Sequence, residues 1–255
     1  MSPILFVHGF WHGGWCWEEH FVPWFRARGY EAHALTLRRH DQRHAPGLRT
    51  TRLKEYVEDV ASAASTMSSP PVLVGHSMGG FVVQKYLEDH IAPAAVLVAS
   101  VPPAGVLGAT LSFGSRHPLT LAAINLTWSL YGVVSTPERA REALFGNALS
   151  DQAVAEYQAR LTDDSYLVYA EMLFARPAAV KVRRTPLLVI GGEADTTISQ
   201  GEVAATAKTY GAELSMFPGA HDLMLEPGWE QVAGRIDTYI RSKARSRGLK
   251  SQAPS

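Results

Sequence analysis

One short segment places a serine in a setting that suits nucleophilic chemistry. The run Gly75-His76-Ser77-Met78-Gly79 follows an apolar stretch, Val72–Val74, and precedes residues with helical periodicity. A serine in a sharp strand-to-helix turn projects its hydroxyl above the sheet, and glycines two residues before and after it remove side chains that would collide there. Because this context surrounds the motif, Ser77 is the candidate nucleophile.

A serine hydroxyl needs a base to take its proton and an acid to orient that base. Among the ten histidines, His221 directly follows the last apolar run, at the strand end where open parallel sheets place their sites. Asp195 follows another apolar run in the same way, and Glu193 is the competing carboxylate. The chain order serine, aspartate, histidine is one that a known catalytic fold uses. We therefore predict a catalytic triad of Ser77, Asp195 and His221.

The transition state of acyl transfer carries an oxyanion, which needs preorganised backbone N–H donors. We predict that one donor is the amide of Met78, the residue after the nucleophile. The second is expected in the segment His8–Trp17, where the amide of Phe10 follows the flexible Gly9. A glycine turn stabilised by aromatic packing would explain the tryptophans of this segment without catalysis.

Short apolar runs alternate along the chain with segments of helical periodicity, which is typical of a parallel sheet covered by helices on both faces. We predict an α/β fold with a mostly parallel sheet of about six strands flanked by helices, built from residues 1–101 and 185–240. The predicted strands are Pro3–Val7, Ala32–Leu37, Val72–Gly75, Ala95–Ala99, Leu187–Gly191 and Glu213–Phe217.

The connection from Val101 to Thr185 is much longer than ordinary α/β connections, so a helical cap or lid is expected at 102–184. Between Asp89 and Glu138 the only Lys, Arg, Asp or Glu is Arg116. Prolines and glycines interrupt this apolar segment, which argues against a transmembrane helix and leaves a buried cap helix or an apolar substrate wall. The predicted substrate contacts are Trp11, Leu126, Trp128 and Leu130.

Composition excludes several other classes of function. Lys and Arg total 24 and Asp and Glu total 24, so no net charge attracts nucleic acid or an anionic membrane. The single cysteine, Cys16, cannot form an internal disulfide or a zinc or iron–sulfur site. Because the chain has a single cysteine and Met1–Val7 lacks the pattern of a signal peptide, we expect a cytoplasmic protein. We also expect no cofactor and no metal. The basic segment 241–255 is expected to be a flexible tail.

The His8–Trp17 segment, the Ser77 turn and the loops of Asp195 and His221 resemble the α/β-hydrolases, in particular the compact branch that contains plant methyl-ester esterases and hydroxynitrile lyases. The resemblance covers roughly residues 1–101 and 185–240. The lyases carry a threonine after the first-strand histidine and a lysine after the catalytic histidine. Here these positions are Gly9 and Asp222, so the chain resembles the esterases. An aspartate beside the catalytic histidine would also disfavour an anionic leaving group.

The resemblance and the residues together imply a serine hydrolase that cleaves the carboxylic ester of a small to medium hydrophobic substrate through an acyl-enzyme. Related epoxide hydrolases and haloalkane dehalogenases use an aspartate where this chain has Ser77, which excludes their alkylation chemistry. Thioesterase, lipase, amidase, perhydrolase and hydroxynitrile-lyase-like activities remain open. A hydrolase-fold protein that binds a small ligand without turnover is the alternative from another class, and the oligomeric state is left open.

Overall fold

Six strands in the described part of the chain form one sheet in which every pairing is parallel. The computed structural model describes residues 2–43 and 45–251. The strands lie in the order β2-β1-β3-β4-β5-β6. The predicted α/β fold is confirmed, and the sheet expected to be mostly parallel is parallel throughout. The strands are Ile4–Val7 (β1), Ala32–Leu35 (β2), Val72–His76 (β3), Ala95–Val98 (β4), Leu187–Gly192 (β5) and Glu213–Phe217 (β6).

The central strands are buried along their whole length, which explains their continuous apolar runs. Val7 of β1 pairs with Gly75 of β3, so the loops after these two strands leave the sheet side by side. Gly192 of β5 pairs with Phe217 of β6, and the loops after these strands are neighbours in the same way. The register therefore brings all four predicted site segments to one edge of the sheet.

Helices cover the sheet, and aromatic side chains fill one of the layers. Phe6 of β1 packs its ring against Trp17, Phe21 and Phe25, with centroids 5.0, 6.1 and 5.6 Å away. The helices outside the long insertion are Trp15–Glu18 (α1), Phe21–Arg26 (α2), Leu53–Ser65 (α3), Ser77–Tyr86 (α4), Gln200–Tyr210 (α11) and Trp229–Ser251 (α12).

The long connection between β4 and β5 is helical and contains no strand within its described residues, 102–184. Its helices are Leu107–Arg116 (α5), Pro118–Thr127 (α6), Pro137–Leu144 (α7), Asp151–Arg160 (α8), Tyr166–Phe174 (α9) and Ala179–Val182 (α10). Across residues 2–43 and 45–251, no helix combines the length and the hydropathy that crossing a bilayer requires.

The basic segment predicted as a flexible tail, 241–255, begins inside α12, which continues to Ser251. Two of its charges are paired with the body of the protein: Arg241 bonds Asp237 at 2.8 Å, and Lys243 bonds Glu213 at 2.8 Å. The predicted boundary at residue 240 is therefore not a break in the helix. Residues 252–255 lie outside the described residues, and the flexibility of the segment stays a prediction.

Candidate active site

Ser77 occupies the first turn of α4 directly after β3, as the motif predicts. Its φ is 50°, a left-handed conformation that is strained for a residue with a Cβ. The flanking glycines are required by close approach of the backbone. A Cβ on Gly79 would lie 2.2 Å from the carbonyl oxygen of His8, and one on Gly75 would lie 2.7 Å from the carbonyl oxygen of Gly79. The turn therefore holds the serine hydroxyl at the edge of the sheet.

The three side chains predicted to act together form one hydrogen-bonded chain. His221 Nε2 lies 2.9 Å from Ser77 Oγ, and His221 Nδ1 lies 2.8 Å from Asp195 Oδ2. Asp195 Oδ1 accepts the backbone N–H groups of Thr197 at 2.8 Å and Ile198 at 2.9 Å. The carboxylate is thus held by two amides on one oxygen and by the imidazole on the other.

The competing carboxylate does not join this chain, because Glu193 is exposed. The loops that carry Asp195 and His221 also touch each other. A Cβ on Gly192 would lie 2.1 Å from the carbonyl oxygen of Ala220, so only glycine allows this approach. Backbone contact between the two loops fixes the separation of the imidazole and the carboxylate.

The charges around His221 favour the protonated form of its imidazole. Burial by itself would lower the pKa of His221, but the attraction and hydrogen bond of Asp195, with Asp222 and Glu226 nearby, raise it above its ordinary value. The cluster of carboxylates thus stabilises the imidazolium that forms when His221 accepts a proton.

The two amides predicted to bind an oxyanion adjoin Ser77. Met78 follows it in α4, and Phe10 and Ser77 line the same cavity. Within the described residues neither N–H has a hydrogen-bond partner, which leaves both donors free for a ligand. Gly9 packs directly on the serine: a Cβ there would lie 2.8 Å from Ser77 Cβ and 2.8 Å from His76 Nδ1.

A buried hydrogen-bonded pair, which no sequence pattern indicated, links the loop after β1 to the loop of His221. His12 Nε2 lies 2.9 Å from Asp222 Oδ2, and both side chains are fully buried. The other ring nitrogen, Nδ1, donates to the carbonyl oxygen of Phe10 at 2.7 Å. Burial would raise the pKa of Asp222, but attraction to His12 and its hydrogen bond lower it overall.

The pair shows which partners the Asp222 carboxylate has. Oδ2 is engaged by His12 and Oδ1 lies 3.4 Å from His76 Nε2, so the effect of Asp222 on a leaving group beside His221 stays a prediction. His12 and Asp222 are 210 positions apart, so their spacing gives no signal in a single sequence.

One group in the described residues has the composition of a metal site: His76, His221 and Asp222 bring ligand atoms within 4.8 Å of one another. The hydrogen bonds account for this proximity. His76 Nε2 lies 3.1 Å from the carbonyl oxygen of His221, which can only accept, so this nitrogen carries a proton and offers no lone pair. The ring nitrogens of His221 face Ser77 and Asp195. His76 Nδ1 and Asp222 Oδ1 are the atoms of this group that have no hydrogen-bond partner among the described residues.

A cavity of about 1020 Å³, including its open mouth, extends from Ser77 between the sheet edge and the inserted helices. Two of the four predicted substrate contacts, Trp11 and Leu130, line it. Leu126 is 85% exposed and Trp128 is 44% exposed with its ring stacked on Tyr166, and neither is part of the wall. The apolar wall includes Trp11, Val106, Phe113, Ile124, Leu130 and Ile198.

Charged residues also line the rim of the cavity, although Arg116 is the only Lys, Arg, Asp or Glu between Asp89 and Glu138. Arg139 and Glu142, which follow that segment in α7, join Arg116 and His117 in the lining. Glu142 Oε1 accepts from Arg116 at 2.6 Å and lies 2.7 Å from His117 Nε2. Arg116 and His117 are thus paired with Glu142, whereas Arg139 donates to the carbonyl oxygen of Gly132 at 2.8 Å. The rim is polar, and the interior remains apolar.

Comparison with known proteins agrees with this fold. The family model described as "Alpha/beta hydrolase family" matches residues 4–235. A probable esterase of rice (Oryza sativa subsp. indica) is 38% identical over 114 residues, 42% of this chain and 43% of its own length. The pyrethroid hydrolase of Sphingobium wenxiniae is 29% identical over 157 residues, 58% of this chain and 56% of its own. The chain thus spans about half the length, or less, of these curated relatives.

The solved structures resemble the chain over nearly all of its length. A pyrethroid hydrolase from Sphingobium faniae superimposes with a TM-score of 0.72 at 20% identity, covering 96% of this chain and 99% of that one. Polyneuridine aldehyde esterase superimposes with a TM-score of 0.68 at 17% identity, covering 93% and 100%. At these identities the likeness shows the fold alone. With the family match over residues 4–235, it establishes that the chain belongs to the alpha/beta hydrolase family.

Proposed function

We propose that the protein hydrolyses a carboxylic ester of a hydrophobic substrate through a covalent acyl-enzyme. The observation that carries the proposal is the hydrogen-bonded chain Ser77–His221–Asp195 at the foot of an apolar cavity. The names of the relatives, a probable esterase and a pyrethroid hydrolase, support hydrolysis of an ester bond.

Acylation follows from the positions of the three side chains. Ser77 Oγ forms a bond to the ester carbonyl carbon while its proton passes to His221 Nε2, 2.9 Å away. The bond to the leaving oxygen then breaks, and His221 returns the proton to the departing alcohol. In the second half of the reaction, water attacks the acyl carbonyl carbon and gives a proton to His221. The bond to Ser77 Oγ then breaks, His221 returns the proton to this oxygen, and the carboxylic acid is released. Asp195 keeps His221 Nδ1 protonated, so Nε2 is free to act as the base.

The amides of Phe10 and Met78 are the proposed donors to the oxyanion that forms in each step. They are free of other partners within the described residues, and the loss of one such donor costs about 3 kcal/mol in the transition state. Gly9 supports an esterase over a lyase site, because a threonine there would collide with Ser77 and His76.

The cavity supports an uncharged, hydrophobic acyl or alcohol group as the substrate class. Its interior is apolar, and the charges of Arg116 and Glu142 at the rim are paired with each other. Selectivity should therefore come from buried apolar area, and each added methylene that is buried contributes about 0.8 kcal/mol.

A series of p-nitrophenyl esters of increasing acyl length tests the proposal, with Ser77→Ala as the control. We expect kcat/KM to rise about three- to fourfold per carbon until the cavity is full and then to fall. Hydrolysis by Ser77→Ala at the wild-type rate would contradict the proposal. Binding of the esters without turnover by the wild type would instead support a non-catalytic ligand-binding protein.

A further inference from the structure

The loop between α8 and α9 of the insertion contains four consecutive buried polar residues. Thr162 is 8% exposed, Asp163 1%, and Asp164 and Ser165 are fully buried. Burying two carboxylates is costly unless hydrogen bonds and opposite charge compensate for the lost water. The partners of these residues therefore show what the loop holds.

Asp164 reaches from the insertion to the loop that carries Phe10. Its Oδ2 accepts the backbone N–H of Trp11 at 2.8 Å and lies 3.0 Å from His40 Nε2. Its Oδ1 accepts the backbone N–H of Ser165 at 2.6 Å and the hydroxyl of Tyr56 at 3.4 Å. Every partner is a donor, which fits an ionised carboxylate.

The hydrogen bonds of His40 show where its ring carries a proton and how it faces the Asp164 carboxylate. Its Nδ1 lies 3.1 Å from the carbonyl oxygen of Arg38 and 3.3 Å from that of Leu37, and these oxygens only accept, so Nδ1 carries a proton. Nε2 faces Asp164 Oδ2, and a proton on this nitrogen as well would place an imidazolium against the carboxylate. Burial would lower the pKa of His40, but attraction to Asp164 raises it overall.

Trp11 needs this support because its backbone is strained. Its φ is 65°, in the left-handed region that disfavours residues with a Cβ. Both of its peptide groups are held by the α8–α9 loop: the N–H by Asp164 at 2.8 Å, and the carbonyl oxygen by the N–H of Thr162 at 2.8 Å. The indole Nε1 also donates to the carbonyl oxygen of Leu130 at 3.2 Å.

The N–H of Trp11 and the carbonyl of Phe10 belong to one peptide plane, which is held from both sides. Asp164 accepts from the N–H, and His12 donates to the carbonyl at 2.7 Å. This plane adjoins the peptide that carries the N–H of Phe10. We propose that Asp164 is a positioning residue that acts from the insertion to orient the Phe10 N–H toward the tetrahedral intermediate on Ser77. The inference rests on the proposed function and extends it: the insertion completes the oxyanion site as well as walling the cavity.

Asp164→Asn tests this role against Asp163→Asn, a matched loss of a buried carboxylate in the same loop. The Asp163 carboxylate accepts from the N–H groups of Leu130, Tyr131 and Asp164 and is 3.0 Å from Arg49, with no hydrogen bond to the loop of Phe10. The readouts are kcat and KM for a p-nitrophenyl ester, the affinity of a trifluoromethyl ketone that forms a tetrahedral adduct, and the affinity of an apolar alcohol that only fills the cavity.

For Asp164→Asn we expect kcat and ketone affinity to fall together by about tenfold or more, because a charge-assisted hydrogen bond is lost. KM and alcohol affinity should stay within about twofold, as expected for an interaction made only in the transition state. Asp163→Asn should keep kcat and ketone affinity within about threefold, even if its melting temperature falls. Asp164→Glu keeps the charge but displaces the oxygens by one methylene, and it should show the same split as Asp164→Asn.

Unchanged kcat and ketone affinity in Asp164→Asn and Asp164→Glu would overturn the inference. Equal losses in Asp163→Asn would also overturn it, since they would show a general effect of the loop on stability. The wild type separates this failure from that of the proposed function. A wild type without ester turnover or reaction with the ketone overturns both, whereas normal wild-type turnover with unaffected Asp164 variants overturns the positioning role alone.

Discussion

The sheet and the insertion form two sides of the cavity, and different interactions fix their geometry. On the sheet side, the backbone approaches glycines so closely that no Cβ fits, with 2.2 Å to His8 O at Gly79 and 2.1 Å to Ala220 O at Gly192. On the side of the insertion, buried side chains such as Asp164 and Leu130 hold the wall. The sheet side should therefore tolerate almost no change at a few positions, whereas the insertion should show large differences between neighbouring residues of the same type.

The largest effect is expected on the sheet side, at the nucleophile. Ser77→Ala removes the oxygen proposed to attack the ester, and if the proposed triad acts as a unit the loss of kcat is on the order of 10⁶-fold. The fold should be unaffected, since alanine fits where serine did. Ester-hydrolysis assays measure the loss of kcat, and thermal melting followed by circular dichroism on the same preparation checks that the fold is unaffected. A loss of fewer than about two orders of magnitude would mean that another group attacks the ester.

The acid should rank next. Asp195→Asn is expected to lower kcat by about 10⁴-fold, because the amide stabilises the wrong tautomer of His221. Glu193→Gln is the matched control, since that carboxylate is exposed, and it should change kcat little. Steady-state kinetics on the pair decides between them, and the reverse ranking would assign the acid to Glu193.

On the side of the insertion, two leucines four positions apart should behave differently. Leu130 is 3% exposed and lines the cavity, so Leu130→Ala should lower the free energy of unfolding by about 2–5 kcal/mol and flatten the dependence of kcat/KM on acyl length. Leu126 is 85% exposed, so Leu126→Ala should stay within about 0.5 kcal/mol with an unchanged profile. Urea unfolding measures the change in stability, and the ester series measures the dependence on acyl length. Equal changes in the two variants would contradict the assignment of Leu130 to the cavity wall and Leu126 to the surface.

The smallest expected effect is a shift in pH dependence. His221 acts as a base only when neutral, so kcat/KM falls as the pH drops through its pKa. Because Asp195 and the nearby carboxylates outweigh burial and raise that pKa, the acid limb should lie above the ordinary value of about 6.5. Asp195→Asn should move the limb of its residual activity to lower pH. A wild-type limb below 6.5 would show that burial dominates over the carboxylates.

The sheet side could be predicted from the sequence because its signals are local. Short apolar runs, most of them continuous, predicted the six strands to within two residues, and glycine spacing located the turn of Ser77. The parallel register then explains why the loops of Asp195 and His221 are neighbours. The strands and the turn of Ser77 depend on residues that are close together in the chain, so a single sequence carries their signals.

The wall of the insertion could not be predicted in the same way. Leu126 and Leu130 both lie in an uncharged segment, but Trp128, with φ 55°, ends α6 and turns the chain, so the two side chains differ in exposure. The pairs His12–Asp222 and His40–Asp164 join residues 210 and 124 positions apart. Burial and long-range pairing arise from tertiary packing, which periodicity in one sequence does not encode.

Mass spectrometry of the protein labelled with a fluorophosphonate tests the central claim most directly, because the reagent bonds to a serine that a neighbouring base activates. The hydrogen-bonded chain Ser77–His221–Asp195 predicts one adduct, on the peptide that contains Ser77, with loss of ester hydrolysis in proportion to labelling. An adduct on another serine, or full hydrolysis by completely labelled enzyme, would contradict the account.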